Sequence, residues 1–144
     1  MDCTNTKLAT FGPLPIRILA GVAFIAHGLP KFANVQGTAG FFSSVGIPGD
    51  LAISIGLLEV VGGAFLLAGF MTRIASILLA IEMALVVIIV KASRGFVGGY
   101  ELKLLLMAMA ISLVLTGPGR ASVEWDVIKR EVWPGKKAPV APAR

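Results

Sequence analysis

The chain has 144 residues and a net charge of +5. Hydrophobic residues make up 56% of it, and 17 glycines are not included in that share. Soluble domains are about 45–50% apolar with glycine included, so the composition excludes an ordinary soluble domain and predicts a membrane protein of one domain. The positive charges stand mainly in loops and in the C-terminal tail. This distribution leaves no basic face for a nucleic-acid partner.

The first apolar run, residues 14–29, follows a polar lead of residues 1–13 and contains two basic groups. Arg17 lies near its start and His27 near its end, about 15 Å apart along a helix axis. Pro30 disfavours helical geometry in the residue before it, so we predict that the helix ends or kinks there. Arg17 is expected close to the membrane surface, where a long basic side chain commonly serves as an anchor.

Three further spans are predicted, at about residues 51–70, 74–90 and 100–116. They are close to the length that crosses a bilayer, although the last is short. Short connections favour an antiparallel four-helix bundle over residues 14–120. In the first loop, residues 36–44 are predicted to form a short interfacial helix with Phe41 and Phe42 entering the membrane.

The chain beyond the bundle divides into two parts. Residues 121–133 have Trp125, Ile128 and Val132 at helical spacing and predict an amphipathic interfacial segment. Residues 134–144 are basic and proline-rich and are predicted to be disordered. Nine of the lysines and arginines fall on the side of the membrane that carries the termini and four on the other. This bias predicts a multi-pass protein of the cell membrane with both termini in the cytoplasm.

Glu59 stands in the second span among glycines that share its helix face. Gly56, Gly62 and Gly63 lie at i−3, i+3 and i+4 from it, so a neighbouring helix can approach closely there. A carboxylate that faces lipid is costly. We therefore predict that Glu59 points into a contact between helices.

The predicted topology gathers ionisable side chains in the half of the bundle remote from the termini. They are His27, Lys31, Glu59, Glu101 and Lys103. Two interpretations remain open. The acids could pair with the basic groups only to keep the helices in register. Alternatively, the groups line a pocket for a polar head group such as a quinone carbonyl, with Glu59 or His27 transferring a proton.

Glu82 lies in the third span, where its neighbours on the helix face are large and apolar. Exposure to lipid would be costly, so the carboxyl group is expected either to contact a partner subunit or to be protonated between packed helices. The contact with a protein partner is favoured. Glu82 and the C-terminal tail are thus candidate contacts in a membrane complex, and a homo-oligomer is compatible with both.

The sequence contains no motif for a bound redox cofactor or metal. Its one histidine cannot supply both axial ligands of a haem, and it has no cysteine cluster, HExxH motif, GxGxxG motif or P-loop. A role in electron transfer would therefore use a cofactor bound elsewhere or a mobile lipid quinone.

Several short motifs follow one another over about residues 14–124. They are Arg17…His27-Gly28-x-x-Lys31, Gly46-Ile47-Pro48, Glu59-x-x-Gly62-Gly63, Leu66-Leu67-x-Gly69-x-x-Thr72-Arg73, Tyr100-Glu101 and Gly117-Pro118-Gly119-Arg120-x-Ser122. In their order and spacing the chain resembles the DoxX family. The resemblance implies a four-helix membrane protein associated with quinol oxidase or thiosulfate:quinone oxidoreductase systems. It implies Arg17, His27, Lys31, Glu59 and Glu101 as site residues.

Two positions depart from the family pattern, Pro30 inside the motif from His27 to Lys31 and Glu124 where aspartate is common. We expect an accessory or small subunit of a quinone-linked oxidoreductase complex, more a non-catalytic subunit than an enzyme by itself, that offers a polar pocket or a docking surface. Two alternatives remain open. One is a purely structural or assembly subunit, and the other is a small transporter or lipid-handling protein that uses the same cluster.

Overall fold

The computed structural model describes residues 9–90, 96–135 and 137. In that part of the chain the α-helices are α1 (Pro13–Ala33), α2 (Val35–Ser44), α3 (Leu51–Ala68), α4 (Thr72–Val90) and α5 (Glu101–Thr116). Short helical turns at Phe96–Tyr100 and Val123–Ile128 precede and follow α5. Most of the predicted N-terminal lead and most of the predicted basic tail lie outside the described residues.

Among the described residues, four helices are long and apolar enough to cross a membrane: α1, α3, α4 and α5 with the turn before it. Their outer faces expose large apolar side chains such as Leu19, Ile88 and Leu115, which are 65–74% accessible. Such surfaces suit contact with lipid. The predicted all-helical membrane bundle is confirmed. We call the side where α1 begins and α5 ends the terminal side, and the other the opposite side.

The closest packing in the bundle joins α1 to α3 through two pairs of glycines. A Cβ atom on Gly21 would lie 2.8 Å from the carbonyl oxygen of Gly63, and one on Gly28 would lie 2.9 Å from that of Gly56. No side chain fits such a gap, so the two backbones touch. The close approach predicted for the glycine face around Glu59 is confirmed.

The core of the bundle is apolar and lies between all four spanning helices. Its buried side chains include Phe24 from α1, Leu66 from α3, Leu79 from α4 and Leu113 from α5. Because α1 packs mainly on α3, and α4 mainly on α5, the bundle consists of two helix pairs that share this core. The cluster of ionisable side chains lies between this core and the opposite side of the bundle.

Helix α1 continues through Pro30 to Ala33, although we predicted that it ends or kinks at the proline. Pro30 has no N–H group, so one intrahelical hydrogen bond is absent. The following turn is closed again, because the Asn34 N–H donates to the Pro30 carbonyl at 3.1 Å. The Asn34 side chain then caps α2 by accepting from the Gly37 N–H at 2.9 Å. The extra turn carries Lys31 on the helix, not on a loop.

The segment 117–133 folds back under the terminal side, and Arg17 fastens it there. The guanidinium group is buried, with 1% of the residue accessible. Four backbone carbonyl groups accept its hydrogen bonds, those of Leu66 (2.9 Å), Leu67 (3.2 Å), Pro118 (2.6 Å) and Ala121 (3.0 Å). Arg17 is therefore an internal tie between three parts of the chain, and the prediction of a surface anchor is wrong.

A buried carboxylate, Glu124, makes the second attachment of this segment. Its Oε1 accepts from the Thr72 N–H at 3.0 Å, at the start of α4, and its Oε2 accepts from the Val132 N–H at 3.3 Å. Burial raises the pKa of the Glu124 carboxyl group, and the two N–H donors oppose that shift. Glu124 thus satisfies an N–H group that the first turn of α4 leaves without a helical partner.

The predicted amphipathic segment at 121–133 differs from the structure. The helical turn ends at Ile128, and the chain beyond it brings Glu131 back to the bundle. Glu131 accepts from Arg73 Nε at 3.0 Å and from Trp125 Nε1 at 3.1 Å. The Glu131 carboxylate and its polar partners thus hold this segment against the bundle, while Ile128 and Val132 remain exposed.

The glycine contacts predict that the effect of a glycine-to-alanine substitution on stability depends strongly on its position. Gly63→Ala places a Cβ atom 2.7 Å from the Gly21 carbonyl oxygen. The free energy of unfolding should fall by about 1–3 kcal/mol, because the two helices must move apart. Gly40→Ala in α2 is the control, since its Cβ atom would meet nothing within 4 Å. Reversible unfolding in detergent micelles, followed by circular dichroism, measures both; equal stabilities would contradict this packing.

Arg17→Lys should destabilise the protein by about 3 kcal/mol, because one ammonium group cannot reach four separated carbonyl groups and hydrogen bonds to charged groups contribute about 1.5–3 kcal/mol each. Cleavage by trypsin at Lys129 should become faster as the C-terminal segment detaches. The matched control is Arg130→Lys, an exposed arginine that donates to Gly135. If both variants unfold and are cleaved alike, Arg17 is not the tie described here.

Candidate functional site

Glu59 of α3 and Lys31 of α1 form an ion pair inside the bundle. Lys31 Nζ donates to Glu59 Oε2 and, at 3.1 Å, to the His27 carbonyl oxygen. Glu59 is only 2% accessible, whereas the Lys31 side chain is 18% accessible. The pair depends on the glycine packing, because Gly56 and Gly28 bring the two helices close enough for a lysine to reach the carboxylate.

Glu82 of α4 faces this ion pair from across the bundle. Its carboxyl group is buried and lies within electrostatic range of the Glu59 carboxylate. No N–H or O–H group of the described residues donates to Glu82 Oε2. Glu82 therefore lies inside its own bundle, and the favoured expectation of a contact with a partner subunit is wrong for this side chain.

Lys103 of α5 completes the cluster. It faces the same cavity as Lys31, Glu59 and Glu82, and its charge lies within electrostatic range of both acids. Within the described part of the chain, Lys103 has no hydrogen bond and no ion pair of its own. The cluster thus takes one ionisable side chain from each of the four spanning helices.

The other predicted site residues have different positions. His27 is half-buried next to the cluster, within electrostatic range of Glu59, Lys31 and Lys103, but it does not line the cavity. Glu101 lies apart, where its Oε1 accepts from the Gly98 N–H at 3.0 Å before α5. Arg17 is on the terminal side, in the tie already described. The structure therefore brings Lys31 and Glu59 together, with His27 adjacent, and leaves Glu101 and Arg17 outside.

A cavity of about 640 Å³ opens above the cluster. Its walls are largely apolar and come from α2, from the loop after it, and from α3, α4 and α5. They include Phe41, Phe42, Ile47, Ile55, Met83 and Tyr100. Lys31, Glu59, Glu82 and Lys103 provide the polar part, which we call the charged floor. Phe42 is buried against this cavity, while Phe41 beside it is half exposed.

The charged floor combines groups for two tasks, the binding of a ligand oxygen atom and the exchange of protons. Lys103 is a hydrogen-bond donor with unused capacity, so it can bind an oxygen atom of a ligand. The carboxyl groups of Glu59 and Glu82 line the same space, and carboxyl groups can exchange protons with a ligand. Among the described residues, no group of three or more histidine, cysteine, aspartate or glutamate side chains comes together as metal ligands do. The arrangement suits an amphipathic organic ligand.

Sequence reasoning singled out Glu82 but did not place it in the cluster, and it gave Glu101 a place there. A signal for Glu82 was present, since it is a carboxylate near the middle of an apolar span, at a depth similar to that of Glu59. The difference between Glu101 and Lys103 depends on where α5 begins. Because Glu101 is the first residue of that helix, its side chain bonds to the preceding turn, and Lys103 two residues later faces inward.

The fold and the site together define a small multi-pass helical membrane protein with a charged cavity between its spans. The profile of the DoxX family matches residues 12–92, which is more than half of the chain. The chain therefore belongs to the DoxX family.

Several known proteins are similar to the chain over most of its length. "Putative oxidoreductase CatD" of Bacillus subtilis is 39% identical over 111 residues, which cover 77% of this chain and 83% of that protein. "Inner membrane protein YqjF" of Escherichia coli is 31% identical, with coverage of 82% and 93%. An uncharacterized membrane protein of Mycobacterium tuberculosis is 32% identical, with coverage of 80% of each chain. No solved structure matches significantly.

The ion pair predicts a non-additive response to mutation. Lys31→Met should lower the free energy of unfolding by about 3–5 kcal/mol, because it leaves Glu59 as a buried charge without its counter-ion. Adding Glu59→Gln should recover a large part of that loss, since the uncompensated charge is then removed. Unfolding of the four forms of this double-mutant cycle measures the coupling, with the exposed Lys129→Met as control. A double variant no more stable than Lys31→Met would contradict the pairing.

Proposed function

We propose that this protein is an accessory or small subunit of a quinone-linked membrane oxidoreductase and that its cavity binds the quinone head group. The cavity above the charged floor carries the proposal. It joins largely apolar walls to a polar end that contains Glu59, Glu82 and Lys103. A quinone has the same two parts, an apolar ring and tail and two polar oxygen atoms.

The dimensions and the lining of the cavity support this ligand class. Small-molecule sites usually have volumes of about 300–1,000 Å³, with apolar and aromatic walls and a few polar groups that fix orientation. The cavity has about 640 Å³, with Phe42 and Tyr100 among its walls. Lys103 at the charged floor is a donor for a quinone carbonyl oxygen.

The acids support a role in proton exchange. Reduction of a quinone to a quinol consumes protons, so a site next to the head group benefits from side chains that release and take up protons. Glu59 and Glu82 both line the cavity. We assign proton exchange to this pair. His27, adjacent on α1, is the further candidate in a relay to the surface.

The similarity to CatD gives a separate line of support, because the name of that protein describes an oxidoreductase. This chain has a single histidine and a single cysteine. We therefore place the electron-carrying centres in partner proteins, which the lipid-facing helices and the C-terminal tail would contact. A second copy of the chain is another candidate partner.

The orientation of the protein is part of the proposal. We propose that both termini lie in the cytoplasm, because nine lysines and arginines fall on the terminal side and four on the opposite side. The charged floor and the cavity would then lie in the half of the membrane away from the cytoplasm. A quinone in the bilayer would enter between the helices, without passing through water.

The test is gentle extraction of the full-length protein from its own membranes, followed by mass spectrometry of the proteins and lipids that purify with it. We expect a redox enzyme together with quinone. Lys103→Met should retain the enzyme and lose at least about 90% of the quinone, because it removes the ligand donor at the charged floor. Glu101→Gln is the matched control, since Glu101 does not line the cavity.

The other outcomes identify the alternatives. A complex without quinone, whose turnover per assembled complex is unchanged in Glu59→Gln, would favour the structural or assembly subunit. A lone homo-oligomer with neither enzyme nor quinone would contradict the proposal. It would favour the transporter or lipid-handling protein, which solute uptake into proteoliposomes then tests.

A further inference from the structure

The end of the C-terminal segment exposes apolar and basic side chains next to one another. Val132 and Trp133 are 43% and 51% accessible, and Lys129 and Arg130 before them are exposed. Lys137 is exposed as well, and an antiparallel bridge pairs it with Arg130 along the backbone. We call these five residues the basic patch. Its chemistry is that of a surface with three cations around an apolar centre.

The acids nearest to the basic patch are already engaged. Glu131 is buried and forms an ion pair with Arg73. The Asp126 side chain accepts from the Ser122 N–H at 3.0 Å, in the preceding helical turn. The exposed surface of the patch therefore has positive charge without an acid of its own.

The cations of the basic patch have hydrogen bonds to spare. Within the described residues, neither Lys129, Arg130 nor Lys137 forms an ion pair. Arg130 donates through Nε to the Gly135 carbonyl at 3.1 Å, and this bond holds the guanidinium group in place. Its other N–H groups remain available to an acceptor. A planar guanidinium group with free N–H groups matches the oxygen atoms of a phosphate.

Contacts with the spans determine the depth of the basic patch. Glu131 accepts from Arg73 Nε at 3.0 Å, and Arg73 also donates to the Leu115 carbonyl at 3.4 Å. Arg73 and Leu115 each lie one residue from the end of a candidate membrane span. Trp133 is two residues beyond Glu131, which is at most about 7 Å along the chain. The patch therefore lies where the spans meet the lipid head groups.

This combination of depth and side chains specifies one partner. Tryptophan is enriched at membrane interfaces, where its apolar ring enters the boundary of the acyl chains. Basic side chains at the same level attract anionic lipids, by roughly five-fold in affinity for each cation. An acidic soluble protein would match the charges, but the apolar centre of the patch lies at the depth of the lipid.

We propose that the basic patch is a binding site for anionic phospholipid of the surrounding bilayer. Trp133 and Val132 contact the upper part of the acyl chains, while Lys129, Arg130 and Lys137 bind the phosphate of the head group. The site goes beyond the proposed function and does not depend on it, because the patch lies on the terminal side and the cavity on the opposite side.

The test measures which lipid lies next to Trp133 in the purified full-length protein. The protein is placed in nanodiscs that contain equal mole fractions of phosphatidylglycerol and phosphatidylcholine, with brominated acyl chains on one lipid or on the other. Bromine quenches tryptophan fluorescence at short range. The chain has two tryptophans, so the signal of Trp133 is the difference between the wild type and Trp133→Phe. We expect brominated phosphatidylglycerol to associate at least about five-fold more strongly than brominated phosphatidylcholine.

Two variants separate charge from apolar contact. The triple variant Lys129→Gln, Arg130→Gln, Lys137→Gln should lose the preference for phosphatidylglycerol, while both lipids still quench Trp133, because Glu131 keeps the segment at its depth. Arg130→Lys is the matched control and should retain most of the preference, since it keeps the charge. High salt should weaken the preference of the wild type, because it screens charges at the membrane surface.

Three results would overturn the proposal. The first is equal quenching of wild-type Trp133 by the two brominated lipids. The second is a triple variant that keeps the preference for phosphatidylglycerol. The third is a Trp133 that neither lipid quenches and that aqueous acrylamide reaches, which would show that the patch faces water and would favour a soluble protein partner. None of these results depends on whether quinone or a redox enzyme purifies with the protein.

Discussion

The architecture depends on how one carboxylate is accommodated in a region without water. Glu59 cannot face lipid, and within its own helix it has no partner. The glycines around it allow α1 to come close enough for Lys31 to reach it, and the same position on α3 places it against Glu82 of α4. The burial of this single acid thus determines how three helices are placed relative to one another. The fourth helix joins them through Lys103.

The two ends of the bundle treat buried charge in opposite ways. On the terminal side, both charged groups of the tie are matched, since Arg17 has four carbonyl acceptors and Glu124 has two N–H donors, although Thr72 Oγ1 beside them has no partner among the described residues. On the opposite side, Lys103 and Glu82 keep unused hydrogen-bonding capacity next to a cavity. A saturated cluster stabilises the fold, whereas an unsaturated one is available to a ligand. This contrast is our reason for placing function at the charged floor.

The sequence allowed the fold class, the spans and the close contact around Glu59 to be predicted, because hydropathy and the spacing of small residues are local properties. The identity of the groups around Glu59 depends on the relative rotation of four helices, which no local pattern contains. Glu101 and Lys103 illustrate this, since a shift of two residues along α5 decides which of them reaches the cavity. The return of segment 117–133 was missed for a similar reason: its attachments are to residues roughly fifty and a hundred positions earlier.

The tie at Arg17 has a consequence for the biogenesis of the protein. Arg17 enters the membrane with the first helix, but its acceptors on Leu66 and Ala121 are synthesised 49 and 104 residues later. Until then the guanidinium group must remain at the lipid head groups, where water and phosphate can solvate it. The terminal side can close only after Ala121 has left the ribosome. Insertion of the four spans and completion of the bundle are therefore separate events in time.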